Sequence, residues 1–280
     1  MSVVINTNYA SVLARKNLAE VQRQMDKSVE RLSSGKRINN AEDDAAGSAI
    51  SGRMESQIRG LTMGIRHAKD GQSLVGTSEG AMQELNKILQ RMRELAVQSA
   101  SGVASSSDRD YLNLEVTQLF SEINSISNNT KFNDQRILTG ATFTFYTDSD
   151  VAGTAITTVA ASASAQNLLV SVTSVDISSV TSNTSTTGVQ AVITQIDSAL
   201  SGVDARRAAL GAVSNRFDHI IDNLQNVVMN TVQSQSRIVD ADFSVETTNL
   251  TRNTVLQQAA TSMLAQANAQ KNSILALIQQ

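Results

Sequence analysis

His67 and His219 are the only imidazoles in the 280 residues, and cysteine is absent. A zinc centre asks for several His, Cys or carboxylate ligands at close spacing, and no HExxH or Cys/His pattern occurs. Both histidines read as ordinary helix residues. Serine catalysis would be signalled by a GxSxG-like elbow between strand and helix, which is missing too. The tight acidic clusters are Glu42-Asp43-Asp44 and Asp240 with Asp242. Each stands where a helix is about to start, a place where carboxylates cap free N–H groups and favour the helix dipole without any metal. Neither a Walker loop nor a GxGxxG is present, and Ser34-Gly35-Lys36 reads as a helix stop followed by basic residues. The chemistry-bearing residues thus point to no catalytic residue, no metal site and no cofactor, and the chain is expected not to be an enzyme.

Composition narrows the class further. Charged residues make up 18% and hydrophobic ones 41%, which suits one long assembly or two modest domains and not a disordered tail. Lys and Arg number 23 against 26 Asp and Glu, so no basic excess marks a binder of nucleic acid or of an anionic membrane. Proline is absent, where average usage would put roughly fourteen in such a chain. Each proline in a helix interior removes a hydrogen bond and adds a clash, so a proline-free chain fits long uninterrupted helices. It also avoids slow prolyl isomerisation during folding. With no Cys or Trp and 3% aromatic residues, stability must come from packed Leu, Ile, Val, Met and Ala, the filling of helical bundles. No apolar run approaches the ~20 residues of a membrane span. The first residues show no basic segment, apolar run and cleavage site of the secretory kind, so on this ground alone the default location is cytoplasmic.

The elements follow from periodicity. Leu18, Val21, Met25 and Leu32 fall on alternating steps of three and four, with Ser28 the one polar break, and the helix should end at Ser33-Ser34-Gly35. A second helix from Ala45 to about Ser99 carries Leu74, Ala81, Leu85, Ile88, Met92 and Leu95, with Ser78 as a gap. Its glycines, crowded into the first half, each cost about 1 kcal/mol relative to Ala or else admit close packing. Asp108 reads as the N-cap of a third helix through Leu112, Val116, Leu119, Ile123 and Ile126, closed by Asn128-Asn129. The longest seam runs from Ile193 through Ile196, Leu200, Val203, Arg207, Leu210, Ser214, Phe217, Ile221 and Leu224 to Thr231. Seams of this length imply helices stabilised by packing on one another.

The last helix presents Leu256, Ala260, Met263, Ala267, Gln270, Ile274 and Leu277, broadened by Leu264 and Ile278. From Thr254 to Gln280 its only charged side chain is Lys271. A free surface helix normally carries charge on its outer face, so this one is expected to be enclosed by neighbouring protein, and its glutamines and asparagines argue against lipid. The middle differs in kind: 142–147 (TFTFYT) and 170–177 (VSVTSVDI) alternate apolar and polar residues and read as short strands. The expected fold is mainly α, with long helices in coiled-coil or bundle packing and a small β-hairpin region at about 141–188.

At this point VINTNYAS near the start, ERLSSGKRINNAEDDAAGSAIS (30–51), QRMRELAVQSAS (90–101), SRIVDADFSVETTNLTR and QQAATSMLAQANAQKNSILALI together resemble bacterial flagellin, over about residues 1–140 and 190–280. The resemblance implies an inner domain of 1–43 with 241–280, built as a coiled coil, and a rod-like helical domain of 44–240, a minimal form without large outer domains. It implies self-polymerisation into an extracellular flagellar filament for motility, through the terminal-helix residues Leu18, Val21, Met25, Leu32, Leu256, Met263, Leu264, Ile274 and Leu277. It also implies unfolded export through the flagellum's own channel without a cleaved signal, which replaces the cytoplasmic default. The implied partners are further subunits, an export chaperone, and cap and hook-associated proteins. A motif recognised by a vertebrate toll-like receptor matches Gln90, Arg91, Glu94 and Leu95, with Glu115 on the next helix; Met92 stands where another aliphatic residue is usual. Two other functions share these ends: a surface-displayed homologue binding polysaccharide, and a hook-filament junction protein.

Overall fold

The computed structural model describes residues 8–140, 142–147, 155–159 and 187–278. Among the described residues five helices carry the fold: α1 (Tyr9–Ser34), α2 (Ala45–Ser99), α3 (Ser106–Asn129), α4 (Thr187–Val239) and α5 (Phe243–Ile278). Two short antiparallel ribbons lie between α3 and α4, β1 (Lys131–Phe132) with β2 (Gln135–Arg136) and β3 (Thr142–Tyr146) with β4 (Ala155–Val159). The mainly helical class with a small hairpin in mid-chain is what the periodicity led us to expect. The chain divides into two compact units, one of Met1–Gln57 with Met229–Gln280 and one of Ile58–Val228.

Within the unit Ile58–Val228, α2 and α4 run antiparallel in constant register. Gln72 donates to Asp218 at 2.5 Å, Asn86 to Asp204 at 2.9 Å and Arg93 to Asp197 at 2.7 Å, so steps forward on α2 are matched by equal steps back on α4. That register sets the two apolar seams face to face. Leu74, Leu85, Met92 and Leu95 of α2, Ile196, Val203, Leu210 and Phe217 of α4, and Val116 and Ile123 of α3 are buried in one cluster. Ser78, the gap in the α2 seam, is buried as well, and its hydroxyl donates to the Leu74 carbonyl at 2.9 Å, which offsets most of its desolvation. Arg207, the cation in the α4 seam, reaches Glu79 at 2.8 Å. Partly exposed ion pairs contribute about 0–1 kcal/mol, so the apolar seam carries the stability and the charges fix the register.

In this unit Gly71 and Gly64 of α2 are points of close approach. A Cβ on Gly71 would lie 2.6 Å from the Phe217 ring, and one on Gly64 would lie 2.6 Å from the Thr147 carbonyl oxygen. Phe217 in turn meets Phe145 of β3 edge to face, with centroids 5.9 Å apart. The alternation in TFTFYT is real: along β3 the side chains are exposed and half-buried in turn, with Phe143 and Phe145 facing inward. Its partner, β4, was not anticipated, and the other expected strand, 170–177, lies outside the described residues. The β1–β2 turn holds Asn133 and Asp134 at φ 47° and 63°, the doubly positive pattern of a two-residue hairpin.

The caps need one correction. Asp108 is not the N-cap of α3; Ser105 is. The Ser105 hydroxyl accepts the Asp108 N–H at 3.2 Å while Asp108 accepts the Ser105 N–H at 2.9 Å, a reciprocal box that uses an acidic residue three positions into the helix. The Ser105 hydroxyl and then its N–H hold the Asp108 carboxyl below its ordinary range. Ser105→Ala is expected to cost about 1 kcal/mol of unfolding free energy, read from urea melts. Gly35, at φ 70°, ends α1 as expected, its N–H donating to the Arg31 carbonyl at 2.9 Å.

Candidate functional site

In the other unit α1 and α5 lie side by side and antiparallel. Arg31 meets Glu246 at 2.9 Å, Gln257 donates to Gln22 at 2.6 Å, and Asn8 donates to the Ala267 carbonyl at 3.1 Å. On α1 a covered row runs Ser11, Ala14, Leu18, Val21, Met25, Ser28 and Leu32, with Gln22 and Arg31 half-buried beside it. On α5 a covered row runs Glu246, Leu250, Asn253, Gln257, Ala260, Leu264 and Ala267, with Thr247, Asn249 and Thr254 half-buried beside it. Both sets step by three and four, in opposite order, as an antiparallel coiled coil requires.

The α5 set differs from the stripe the apolar residues had suggested. Ala260, Leu264 and Ala267 belong to it, whereas Leu256 and Met263 stand outside, Met263 61% exposed. The side chains of Gln270, Ile274 and Leu277 lie outside the described residues. The reason is that a helix paired with α1 must present the heptad row opposite α1's own, and that row begins at Glu246 and is small or polar in most layers. The expected α1 residues Leu18, Val21, Met25 and Leu32 are all half-buried against it. Residues missed from the sequence are Arg31, Glu246, Gln22, Gln257 and Asn253. The signal available was the three-four continuation upstream of Leu256, masked by its polarity.

A second consequence is the surface this pairing leaves open. Among the described residues of this unit, Ile38 is the only buried large apolar side chain, while Ser28, Glu246 and Asn253 are buried polar ones. Tyr9, Val12, Phe243, Val245, Val255 and Met263 are each more than half exposed.

The segments that lead out of α1 and into α5 are stapled together. Lys36 and Asp240 form an antiparallel bridge, with the Arg37 N–H donating to the Val239 carbonyl at 2.6 Å and the Ala241 N–H to the Gly35 carbonyl at 3.0 Å. The acidic clusters divide their tasks here. Asp44 accepts the Gly47 N–H at 2.8 Å and Asp242 the Ser244 N–H at 2.8 Å, so these two are the helix caps. Asp240 serves the bridge, and Asp43 clamps the loop, accepting from Lys27 at 2.7 Å and from the Asn39 and Asn40 N–H groups at 3.1 and 3.2 Å. Lys27 first, and then those two amides, lower the Asp43 carboxyl from 3.8 to about 2. A depressed carboxyl stabilises the fold fully above its ordinary value and loses that contribution as pH falls through the depressed one. Hydrogen-exchange protection of the Asn39 and Asn40 amides is therefore expected to persist above pH 3.8 and to fade towards about 2. Asp43→Asn should weaken that protection at neutral pH and remove its acid dependence.

Residues 5–142 match the family model of the bacterial flagellin N-terminal helical region, and residues 193–278 match that of its C-terminal helical region. The chain belongs to the bacterial flagellin family. It is 41% identical over 282 residues to a flagellin of Halalkalibacterium halodurans, covering 99% of this chain and all of that one. It is 35% identical over 286 residues to the flagellar filament 31.3 kDa core protein of Treponema maltophilum, with 99% and 100% of the two chains covered. The solved structure of a flagellar hook-associated protein from Vibrio parahaemolyticus is similar at TM-score 0.61, covering 71% of this chain and all of that one; at 13% identity it shows the fold alone.

The motif on α2 of this flagellin splits by face. Arg91 donates to Glu115 of α3 at 2.9 Å and to Glu94 at 3.2 Å, which gathers Arg91, Glu94 and Glu115 on one exposed surface; Gln90, exposed as well, donates to Asn86 at 2.7 Å. Glu115 and then Glu94 push the Arg91 guanidinium still higher, so it stays charged at any working pH. Leu95 is on the opposite face, 1% exposed in the core cluster, and packs the bundle.

Proposed function

We propose that this flagellin is a structural subunit that self-polymerises into the extracellular flagellar filament used for motility, with no reaction of its own. One observation carries the proposal: among the described residues of the α1–α5 unit, Ile38 is the only fully buried large apolar side chain, while Tyr9, Val12, Phe243, Val245, Val255 and Met263 are each more than half exposed. Apolar surface is worth about 25 cal/mol per Å² when removed from water, so a unit built this way gains most of its stability from neighbours. Where exposed apolar side chains join into one patch, they mark an interface. Family membership supplies the identity of the neighbours, further copies of the same chain. The inner part of the subunit is then 1–43 with 241–280 and the rod 44–240, with Leu18, Val21, Met25, Leu32 and Leu264 closing the helix pair and Leu256, Met263, Ile274 and Leu277 serving contacts between subunits.

Delivery through the flagellar channel in unfolded form fits a chain free of cysteine and proline. An export chaperone, cap and hook-associated proteins, and recognition of the Gln90–Arg91–Glu94–Glu115 surface by a toll-like receptor are proposed on the family's pattern. The test is electron microscopy of purified protein mixed with sheared filament fragments. Growth of filaments from the seeds is expected for the full chain and lost when Leu256 to Gln280 is removed. A full chain that stays dispersed with seeds at every concentration removes the proposal.

A further inference from the structure

Two rows on α5 compete for the same partner helix. The row laid against α1 includes Glu246, Asn253, Gln257 and Leu264, and the row one residue earlier is Val245, Arg252, Leu256 and Met263. Both advance by seven, four and seven, so either makes a heptad stripe, and a roll of about 100° around the helix axis exchanges them. Apolar content does not choose the row that is used. Val245, Leu256 and Met263 are 53%, 45% and 61% exposed, whereas Glu246 and Asn253 are 6% and 5% exposed. In the rolled arrangement the aliphatic stem of Arg252 would lie along the seam with its charged head in water. The Lys36–Asp240 bridge does not prevent the roll, because Ala241 and Asp242 stand between it and α5 and their backbone torsions can absorb it.

What distinguishes the used row is its set of polar contacts with α1. Arg31 meets Glu246 at 2.9 Å near one end, and Gln257 donates to Gln22 at 2.6 Å in the middle. Asn8 donates to the Ala267 carbonyl at 3.1 Å near the other end. A roll by one residue breaks these contacts together, setting Val245 towards Arg31 and Leu256 towards Gln22, neither of which can return a hydrogen bond from its side chain.

We infer that Arg31 and Gln22 are the positioning residues of a rotational lock: through Glu246 and Gln257 they hold α5 with Leu256 and Met263 turned outward, and without them α5 rolls and buries that flank against α1. A single polar contact in a coiled-coil seam is enough to choose between alternative pairings at some cost in stability. The use of the lock, keeping an apolar flank free for other copies, rests on the filament reading; the roll itself does not.

Because the chain has no cysteine, one introduced thiol reports which face of α5 is outward. In the dispersed full chain, maleimide is expected to label Met263→Cys at least about tenfold faster than Leu264→Cys, whose thiol is reached only when the pair opens. Adding Arg31→Leu and Gln22→Leu alters α1 alone, yet it sets the Glu246 carboxylate against an apolar neighbour, and a buried charge deprived of its partner is strongly disfavoured. The order of the two rates is expected to reverse, with helical circular dichroism unchanged. Exchanging the pair, Arg31→Glu with Glu246→Arg, is expected to restore the parental order.

A parental order that survives Arg31→Leu with Gln22→Leu overturns the lock. Two fast reporters overturn it too, since the pair then opens instead of rolling, and so does an order that stays reversed in the exchanged chain. Filament growth is scored apart from labelling: a parent that never grows from seeds removes the filament reading, and the labelling rates still decide the roll.

Discussion

Met263→Asp is expected to leave the unfolding free energy of the dispersed chain within about 0.5 kcal/mol of the parent, and to raise the concentration needed for filament growth at least about a hundredfold. Met263 is 61% exposed on the face of α5 turned away from α1, so the substitution removes little packing from the lone subunit. In an assembled face the same carboxylate loses water without gaining a cation, which costs several kcal/mol, and each 1.4 kcal/mol is a factor of ten in affinity. Urea melts of dispersed protein and pelleting assays of the polymer measure the two quantities separately. Leu264→Asp is the contrast, since Leu264 is half-buried in the helix pair and its substitution should weaken the dispersed chain as well. Filaments of Met263→Asp at the parental concentration mean that this face is not a subunit contact.

Phe217→Ala is expected to cost about 3–5 kcal/mol, the largest loss from any single side chain of the α2–α4 core. The ring is wholly buried, faces Gly71 where a Cβ would come within 2.6 Å, and meets Phe145 edge to face. Neighbours held by two helices and a strand cannot collapse into the space left behind. Gly71→Ala attacks the same joint from the other side. Alanine is favoured over glycine in a helix by about 1 kcal/mol, but here the added methyl must displace the ring, so a net loss of about 1–3 kcal/mol is expected. Denaturant unfolding monitored by circular dichroism reports both.

The contrast between the two units explains how much of this flagellin was legible in its residues. The seams of α2, α3 and α4 were readable because their cores are apolar: Leu85, Met92, Val116, Ile123, Val203 and Phe217 announce a three-four period and are buried where it puts them. The α5 seam was not, because its partner selects a row containing Glu246, Asn253 and Gln257, and hydropathy points to Leu256 and Met263 on another face. The α3 cap went to Asp108 because an acidic residue at a helix start satisfies either the cap or the third position, and only the Ser105 geometry separates them. Strand β4 was missed because its sequence, AITTV, alternates too weakly to stand out from its Ser/Thr-rich surroundings. For the surface motif, chain neighbours alone could not tell that Leu95 faces the core while Arg91 and Glu94 face out.

The bridge of Lys36 with Asp240 bears on mechanics. Because the Arg37 and Ala241 amides each donate across it, the two linkers are joined at one point along the chain. A pull on the first helix and a pull on the last therefore enter at the same joint and are shared between two covalent paths. Torque delivered to the paired ends is carried by two strands of backbone in place of one.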